Sequence, residues 1–519
     1  MSDAVEPRES PLKDPSGLFF EQPRTRRTIV TSYWIVVLLA LPLWWSTTSI
    51  ERLSLPVSRV HSTGLKQLHF PLQVEFDHNA SSLSFEALEK ETRARFSSLQ
   101  RQSEGRLDYL DLRFVAIEST AGHPAATGAY GVSIEPSLDR ATVRDRHLSV
   151  PVNEGATHIP FTLPDRLVSL LSPYTSRHPP GRFEHLVAKY APRYRLAFTM
   201  LNEDAAGGRP VVGWDVQEAI SRHLSPILDQ VADLHNFTIE SQVQFHSPLA
   251  FAPYEIKSDN EEIHGLTQED LKVFVNSAEW TLSSSVSNDP VLHFILFIPS
   301  VPHTPLRILD NDHNPTSSNA FILPQWGGIV LLNLPPDTSS PPHLSEGDLA
   351  HTFSIFRTQL LKLLGVSDLP AGVEPADTHL PLTKWQLDTL YRQRAIENAH
   401  SSQETLQSII KLVDQISNMP VGEGVRGDIQ NALTALNMVY TVGWQSPIQA
   451  LRHSSEALTH ASRAFFNPGM LALLYFPAEH KYAVYTPLFA PVAVPLVVTA
   501  LRELSAWRKS RRVATETKT

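Results

Sequence analysis

The chain has 519 residues, which is enough for two or three soluble domains with their own hydrophobic cores. It contains no cysteine, which excludes structural disulfides, thiolate metal ligands and a cysteine nucleophile. The formal charge of −10 is unevenly distributed, because residues 1–28 are neutral overall and residues 502–519 carry six bases and two acids, which leaves about −14 for the middle of the chain. An acidic middle argues against a nucleic-acid partner, which requires a basic face.

The first long apolar stretch, residues 28–50, contains no charged side chain. A helix that crosses the hydrocarbon core needs about 20 mainly apolar residues, and Trp44 and Trp45 suit the headgroup level at its end. We therefore predict a transmembrane helix over 29–50, preceded by a flexible tail over 1–28. The alternative is a cleavable signal peptide, although the apolar run is longer than such peptides usually have.

A second uncharged stretch, residues 482–501, predicts a second transmembrane helix, with a buried soluble hairpin as the alternative. Basic side chains flank both stretches on the side of the chain terminus, at Arg24, Arg26, Arg27, Arg502, Arg508, Lys509, Arg511 and Arg512. The positive-inside rule then predicts that both termini, including the basic tail 502–519, are cytosolic. Residues 51–481 are predicted to lie on the lumenal side.

Prolines interrupt both predicted spans, with Pro42 in the first and Pro487, Pro491 and Pro495 in the second. Four residues advance a helix by about 400°, so the last three prolines share one face. Each proline frees a backbone carbonyl that needs a donor in the membrane. These residues therefore predict packing against other helices, with a simple kinked anchor as the alternative.

The region from about 67 to 340 is predicted to be rich in strands. Alternating or continuous apolar runs predict strands, and a period of 3.6 predicts helices. The predicted strands are 72–77, 109–118, 130–136, 194–200, 236–245, 291–299 and 321–334, the last interrupted by Gly327 and Gly328. A helix is predicted over 83–101. A second helical segment is predicted from Val216 to Leu234, because the apolar residues of this stretch fall on one helical face. The run 291–299 is typical of a strand covered on both faces.

The region from about 345 to 467 is predicted to be helical. Ser345 and Asp348 form the pattern of a capping box, which opens a helix that ends at Gly365. Further helices are predicted over 383–419, from about 428, and from a cap at Ser446. The predicted fold class is an α/β domain, with a mixed sheet, flanking helices and a long helical C-terminal part, between two transmembrane helices. No repeat of fixed period is found.

Motifs for catalysis or metal binding do not occur in complete form. There is no HExxH zinc site, no phosphate-binding loop and no GxSxG elbow. Asp310, Asp312 and Asn314 begin like a calcium loop, but Pro315 and Phe321 occupy the positions that require Gly and Glu. We therefore predict no catalytic, cofactor-binding or metal residues, and leave open a carboxylate pair formed across the fold.

Two sequons and one aromatic motif remain as candidate sites. Asn79 and Asn236 each begin an Asn-x-Ser/Thr triplet and are candidate glycosylation sites. Trp326 precedes Gly327 and Gly328, which permit unusual backbone angles. This motif predicts either a partner-contact loop or a tight turn between strands with Trp326 in the core.

Three stretches carry a specific family resemblance: YWIVVLLALPLWWSTTSIERLSLP at 33–56, FILPQWGGIVLLN at 321–333 and FPAEHKYAVYTPLFAPVAVPL at 476–496. They resemble the fungal members of the phosphatidylinositol-glycan class S family. Hydrophobicity alone does not dictate the order of Pro42, Trp44 and Trp45 followed by Arg52 and Pro56. Two terminal spans around one large lumenal region also agree with that family.

The resemblance implies a function that composition does not reveal. The family is a non-catalytic subunit of the glycosylphosphatidylinositol (GPI) transamidase of the endoplasmic reticulum, which replaces a C-terminal signal with a GPI anchor. The implied partners are the other subunits, including a cysteine-protease-like catalytic chain, together with membrane lipid and, indirectly, the proprotein and GPI substrates. No cofactor is implied. The alternatives are a membrane-anchored lumenal hydrolase and a binding module outside the transamidase.

Overall fold

A computed structural model describes residues 22–516 of the chain, with gaps. The gaps are 49–51, 65, 67, 78–84, 105, 118–127, 136–137, 152–161, 174–184, 208–209, 259–260, 281, 283–286, 336–341, 378–379, 417–418 and 472–477. The chain divides into two compact units. One unit holds the residues up to Leu55, Ser408–Asp428 and those from Arg463 onward, and the other holds Pro56–Gln407 and Ile429–Ser462.

The described helices are α1 (Pro23–Thr48), α2 (Val57–Gly64), α3 (Phe85–Gln102), α4 (Leu163–Leu171), α5 (Val216–His223), α6 (Ser225–Gln230), α7 (Gln268–Lys272), α8 (Glu346–Leu364), α9 (Lys384–Gln415), α10 (Glu423–Thr441), α11 (Pro447–Phe465), α12 (Pro468–Leu471) and α13 (Ala478–Glu516). The described strands are β1 (Phe70–Asp77), β2 (Leu110–Ile117), β3 (Tyr130–Glu135), β4 (Ala141–Arg144), β5 (His147–Pro151), β6 (Arg193–Asn202), β7 (Gly213–Trp214), β8 (Asn236–Gln244), β9 (Tyr254–Ser258), β10 (Glu261–Leu266), β11 (Val291–Ile298), β12 (Leu306–Ile308), β13 (Ala320–Leu323), β14 (Gly327–Leu331), β15 (His343–Leu344) and β16 (Val373–Pro375).

Two main sheets share one strand order. The first sheet runs β16-β4-β5-β3-β1-β2, and the second runs β13-β14-β11-β6-β8. In both sheets the first strand along the chain is flanked by the second and third, and these pairs are parallel. In both, the fifth strand (β5 or β14) pairs in parallel with the third strand and antiparallel with the fourth. The second sheet therefore repeats the pairing of β1 to β5, and β16 extends the first sheet only.

Apolar side chains cover one face of the first sheet and both faces of the second. The core of the first sheet includes Val74, Val132 and Leu148, and helices α3 and α4 pack on it. One face of the second sheet forms a core with α5 and α8. Its other face packs against residues of the segment between β8 and β11, notably Phe274 and Trp280.

Helix α9 contributes to both main cores. Trp385 and Ala395 are buried in the core of the first sheet, whereas Leu387, Leu390 and Tyr391 are buried in that of the second. Because different faces of the helix pack on the two cores, its first half has little exposed apolar surface.

The predicted fold class is confirmed: the chain is mixed α/β, has long C-terminal helices and carries two helices long enough to cross a membrane. The capping box at Ser345 and Asp348 is present, and α8 ends at Gly365 with a φ of 84°. Strand β11 is buried along almost its whole length, as its apolar run predicted.

The prediction of one continuous helical face from Val216 to Leu234 is wrong, because the chain forms two helices there. The face from Val216 to Leu234 belongs to two short helices, α5 and α6, that meet at Leu224. Pro226 lies in the first turn of α6, where a proline is tolerated at a helix start but interrupts a continuing ladder. The apolar positions Ile220, Leu224, Ile227 and Val231 are nevertheless buried, because the break keeps them on the core side.

Candidate membrane helices and partner-contact residues

The two candidate membrane spans are Arg24–Trp44 in α1 and Ala483–Arg508 in α13. They belong to the same unit and contact each other at both ends. Trp44 lies 5.8 Å from Tyr485 and 6.2 Å from Phe489 between ring centroids. At the opposite end, the carboxylate of Glu503 accepts from Arg26 at 2.5 Å and Arg27 at 3.1 Å. The helices therefore run antiparallel, as two consecutive crossings of one membrane require.

The four proline residues of the predicted packing faces lie inside these helices, at Pro42 in α1 and at Pro487, Pro491 and Pro495 in α13. All four are exposed in the described chain. Thr499 donates to the carbonyl of Pro495 at 2.7 Å, a bond that a threonine makes with the preceding turn. The proline face of α13 is thus available to other molecules.

Arg52, which follows the first span, is fixed by backbone acceptors. Its guanidinium donates to the carbonyl of Val413 at 2.6 Å, near the end of α9. The next residue, Leu53, donates its N–H to Val421 at 2.9 Å. A cation beside the last carbonyls of a helix is favoured by the helix dipole. This contact gives Arg52 of the family signature a structural role.

Trp326 lies at the turn between β13 and β14. It is half-buried and stacks on His293, with 4.5 Å between the ring centroids. A Cβ on Gly327 would lie 2.0 Å from the carbonyl oxygen of His293, and one on Gly328 would lie 2.0 Å from Oε1 of Gln359. The two glycines therefore allow β14 to approach β11 and helix α8 closely.

The structure describes only one of the two candidate glycosylation sites. Asn79 lies outside the described residues. Asn236 is the first residue of the edge strand β8 and is exposed, as is Thr238.

Asn236 also borders a cavity of about 260 Å³ that touches Tyr190, His235 and Leu451. Burial, and secondarily Arg394, lower the pKa of His235 to about 3, so its imidazole is neutral.

A polar cluster that the sequence analysis did not single out lies on β3 and β5, on the face of the first sheet opposite its hydrophobic core. Glu135 Oε1 accepts from Ser133 at 2.9 Å and Ser149 at 2.8 Å. His147 Nε2 lies 2.8 Å from Ser133 Oγ, and burial lowers the His147 pKa. In the sequence, Ser133 and Glu135 alternate with the apolar residues of β3. This alternation indicates that one face of the strand is polar, and it could have identified the cluster.

A second polar cluster, formed by Glu203, Ser300 and His303, follows strands β6 and β11 of the second sheet. Glu203, just after β6, accepts from the Ser300 N–H at 2.8 Å, and its other oxygen lies 2.6 Å from His303 Nδ1. The buried Asp388 and the half-buried Arg146 form an ion pair between α9 and the first sheet. Within the described ranges, no three His, Cys, Asp or Glu side chains are arranged to hold a metal ion.

Comparisons with known proteins extend over nearly the whole chain. The rat GPI-anchor transamidase component PIGS is 27% identical over 94% of this chain and 97% of its own length. The Schizosaccharomyces pombe GPI transamidase component PIG-S homolog is 29% identical over 94% of this chain and 85% of its own length. The Saccharomyces cerevisiae GPI transamidase component GPI17 is 23% identical over 88% of both chains. Since the family model for phosphatidylinositol-glycan biosynthesis class S protein matches residues 31–510, the chain belongs to that family.

Proposed function

We propose that this chain is a non-catalytic subunit of the GPI transamidase complex in the endoplasmic-reticulum membrane. The observation that carries the proposal is the full-length similarity to proteins named as GPI transamidase components. The antiparallel pair α1 and α13 supports a two-pass anchor. The role of the chain is then to hold a large α/β domain beside the other subunits.

In this proposal both termini are cytosolic and residues 51–481 are lumenal. The basic side chains that precede the first apolar stretch and follow the second support this orientation. The partners are the other subunits, including the cysteine-protease-like catalytic chain, while the proprotein and GPI substrates are reached indirectly. Because this chain contains no cysteine, it cannot supply a thiolate nucleophile to the transamidase reaction.

Two surfaces are proposed to contact partners within the complex. The exposed face of Pro487, Pro491 and Pro495 packs against transmembrane helices of other subunits, because proline frees carbonyls that require donors in hydrocarbon. The half-buried Trp326 presents its remaining surface at a turn, where an aromatic residue favours a protein interface.

Depletion of the chain in cells that carry a GPI-anchored reporter tests the function. We expect uncleaved reporter precursor to accumulate, and re-expression to restore anchoring. Purification in mild detergent should recover the catalytic subunit with this chain. Normal anchoring after depletion contradicts the proposal, and purification without the catalytic subunit favours a binding module outside the transamidase.

The non-catalytic role is tested at the polar cluster most similar to a hydrolase site. Ser133→Ala combined with His147→Ala removes a hydroxyl and the imidazole 2.8 Å from it. If the chain is non-catalytic, the double variant restores anchoring in depleted cells to the same extent as the parent chain at equal expression. A loss of anchoring with the complex still assembled favours the lumenal hydrolase instead.

A further inference from the structure

The cavity beside Asn236 has two walls, and both belong to the same compact unit. Its volume is about 260 Å³. One wall comes from the chain that leads into β6 and β8, at Tyr190, Pro192 and residues 232–236. The other wall comes from α11, at Ile448, Leu451, Arg452, Ser455 and Glu456. The cavity therefore lies between a helix and the amino end of the edge strand β8.

Tyr190 connects the two walls of the cavity. Its hydroxyl donates to Ser455 Oγ at 2.9 Å, so the tyrosine and the helix are held in a fixed relation. The Tyr190 ring also lies 5.4 Å from the ring of His235, measured between centroids. A preformed cavity with an aromatic wall and a few polar groups is typical of sites for small ligands.

His235 makes the inner lining of the cavity uncharged. The residue lines the cavity and is only 2% exposed. Its Nδ1 donates to the Ala191 carbonyl at 2.5 Å, and burial lowers the His235 pKa to about 3, so the imidazole is neutral near pH 7. Nε2 is then an acceptor, and it has no hydrogen-bond partner among the described residues. A neutral ligand with N–H or O–H donors suits this lining better than an anion does.

Two charged side chains lie at the mouth of the cavity, one on each wall. Asp233 and Arg452 are both exposed. Neither side chain forms an ion pair within the part of the chain that the structure describes. A carboxylate accepts hydrogen bonds from hydroxyl groups, and a guanidinium donates to hydroxyl and carbonyl oxygens. The pair therefore matches a neutral ligand that carries several hydroxyls and an amide, as an N-acetylated amino sugar does.

Asn236 can hold such a sugar at the mouth of the cavity. The residue lines the cavity, is exposed and begins a sequon that the exposed Thr238 completes. A group attached to the Asn236 side chain stays beside the cavity. Its binding is then intramolecular, so that weak contacts with the walls are sufficient.

We propose that this cavity binds the first N-acetylglucosamine of a glycan carried by Asn236, with the sugar ring against Tyr190 and its polar groups towards Asp233 and Arg452. The inference rests on the proposed function, which supplies the lumenal location of residues 51–481. Attachment joins the Asn236 amide nitrogen to the anomeric carbon of an oligosaccharide linked to a lipid diphosphate. The bond from that carbon to the diphosphate breaks, and the amide nitrogen loses one proton. The bound sugar then links the edge strand to α11.

The accessibility of the bond between the sugar and Asn236 tests the proposal. The full-length chain is purified in mild detergent and treated either with PNGase F, which cleaves this bond, or with endoglycosidase H, which cleaves between the first two sugars. We expect endoglycosidase H to trim the glycan of the folded chain, because its cleavage point lies outside the cavity. Release by PNGase F should be about tenfold slower from the folded chain than from the denatured chain, since the bond is exposed only when the contact opens.

A glycan outside the cavity supplies the matched control. Pro315→Ala makes the exposed Asn314 an acceptor, and PNGase F should release this glycan at similar rates from the folded and denatured chains. Equal rates for the two states at Asn236 overturn the proposal, as does glycosylation of Asn314 without glycosylation of Asn236. Both results leave the proposed function intact. Absence of a glycan at both positions contradicts the lumenal location and this inference with it.

The contacts at the mouth of the cavity are tested with a double variant. Asp233→Ala with Arg452→Ala removes two exposed side chains and breaks no ion pair of the described residues. We expect PNGase F to release the Asn236 glycan from the folded variant about tenfold faster than from the folded parent chain, because the hydrogen bonds to the sugar are lost. Thr459→Ala, at an exposed position of α11 outside the cavity, is the control and should leave the rate unchanged. Slow release that persists in the double variant overturns the cavity as the cause of the protection.

Discussion

Arg146 donates two hydrogen bonds to the carboxylate of Asp388, at 2.5 Å from Nε and 3.0 Å from Nη2. The pair joins the turn between β4 and β5 to helix α9. Tyr130 donates to the same carboxylate at 3.0 Å and accepts from Arg392 at 2.5 Å. Burial raises the pKa of Tyr130 to about 12, so the hydroxyl remains a donor at physiological pH.

Asp388→Ala should destabilise the protein strongly. It removes the carboxylate that Arg146 and Tyr130 share in the described chain. Because the Arg146 side chain is 33% exposed, we expect a loss of about 2–3 kcal/mol, below the range for a fully buried pair. Tyr130→Phe should cost about 2–3 kcal/mol, since the variant loses both the hydrogen bond to Asp388 and the acceptor of the buried Arg392. Chemical denaturation of the detergent-solubilised chain measures both. Asp414→Ala, an exposed position on the same helix, is the control and should change the free energy of unfolding by less than about 0.5 kcal/mol.

Gly327→Ala should prevent β14 from taking its place beside β11. The new Cβ would lie 2.0 Å from a backbone oxygen, which cannot move without separating the strands. We expect a loss of more than about 3 kcal/mol in the free energy of unfolding, and little folded protein at physiological temperature. The matched control is Gly347→Ala in the first turn of α8, where the nearest atom lies 3.8 Å away. Equal stability of the two variants contradicts the close-approach argument.

His235 should make the protein sensitive to acid. Its pKa is about 3 in the folded chain against 6.5 in the unfolded chain, so folding disfavours the protonated form. The free energy of unfolding should therefore be unaffected above about pH 6.5 and fall below it by up to about 1.4 kcal/mol per pH unit, until the pH approaches the folded value.

His235→Phe removes this proton-binding site while retaining a ring among Tyr190, Tyr194 and Phe237. Between pH 6.5 and 5 the parent chain should lose about 2 kcal/mol more than the variant. Denaturation at each pH measures the difference, and His351→Gln on the exposed side of α8 controls for loss of a histidine. Parallel pH profiles of parent and variant contradict the prediction.

The antiparallel contact of α1 and α13 predicts which positions can be crosslinked. The absence of native cysteine allows pairs to be introduced without background. Trp44→Cys with Phe489→Cys replaces two rings 6.2 Å apart and should react with a short bis-maleimide. Trp44→Cys with Leu501→Cys places the thiols at opposite ends of the helix pair and should not react. Crosslinking of the second pair at the same rate contradicts the antiparallel arrangement.

Asn236 should carry a glycan if residues 51–481 are lumenal. The exposed side chain precedes an exposed Thr238, so Asn236→Gln and Thr238→Ala should remove the same endoglycosidase-sensitive mass. Pro315→Ala provides an independent control, because it converts the exposed Asn314 into a new acceptor followed by Ala and Thr316. If Asn314 is glycosylated and Asn236 is not, Asn236 is not a glycosylation site, but residues 51–481 are still lumenal. If neither position is glycosylated, the result argues against the lumenal location.

Much of the fold follows from local patterns in the sequence. The apolar runs of β6 and β11 and the capping box of α8 are short-range signals, and the structure contains these elements where they are predicted. The repeated strand order is not detectable in this way, because it depends on pairing between distant strands and the two halves differ in connection length. A search for a fixed period cannot find a repeat whose second copy contains a longer insertion.

The polar face of the first sheet is also a product of tertiary structure. Ser133 and Glu135 alternate within one predicted strand, but Ser149 and His147 come from β5, a strand that the sequence analysis does not predict, and only the parallel register joins them. Likewise, the carboxylate of Asp388 lies on a helix that begins about 250 residues after Tyr130, and no spacing rule connects the two. Sequence therefore predicts the long elements with strong local patterns, whereas the polar clusters form only when distant strands and helices assemble.

The position of α9 between two cores has a thermodynamic consequence. Trp385 and Leu387 are two residues apart and are buried beneath different sheets, so neither sheet can lose its packing without exposing part of the same helix. The free energies of the two halves are thereby linked, and unfolding of this region is cooperative across both sheets. A large-to-small change in either core lowers the resistance of both sheets to denaturation, including the sheet that the change does not touch.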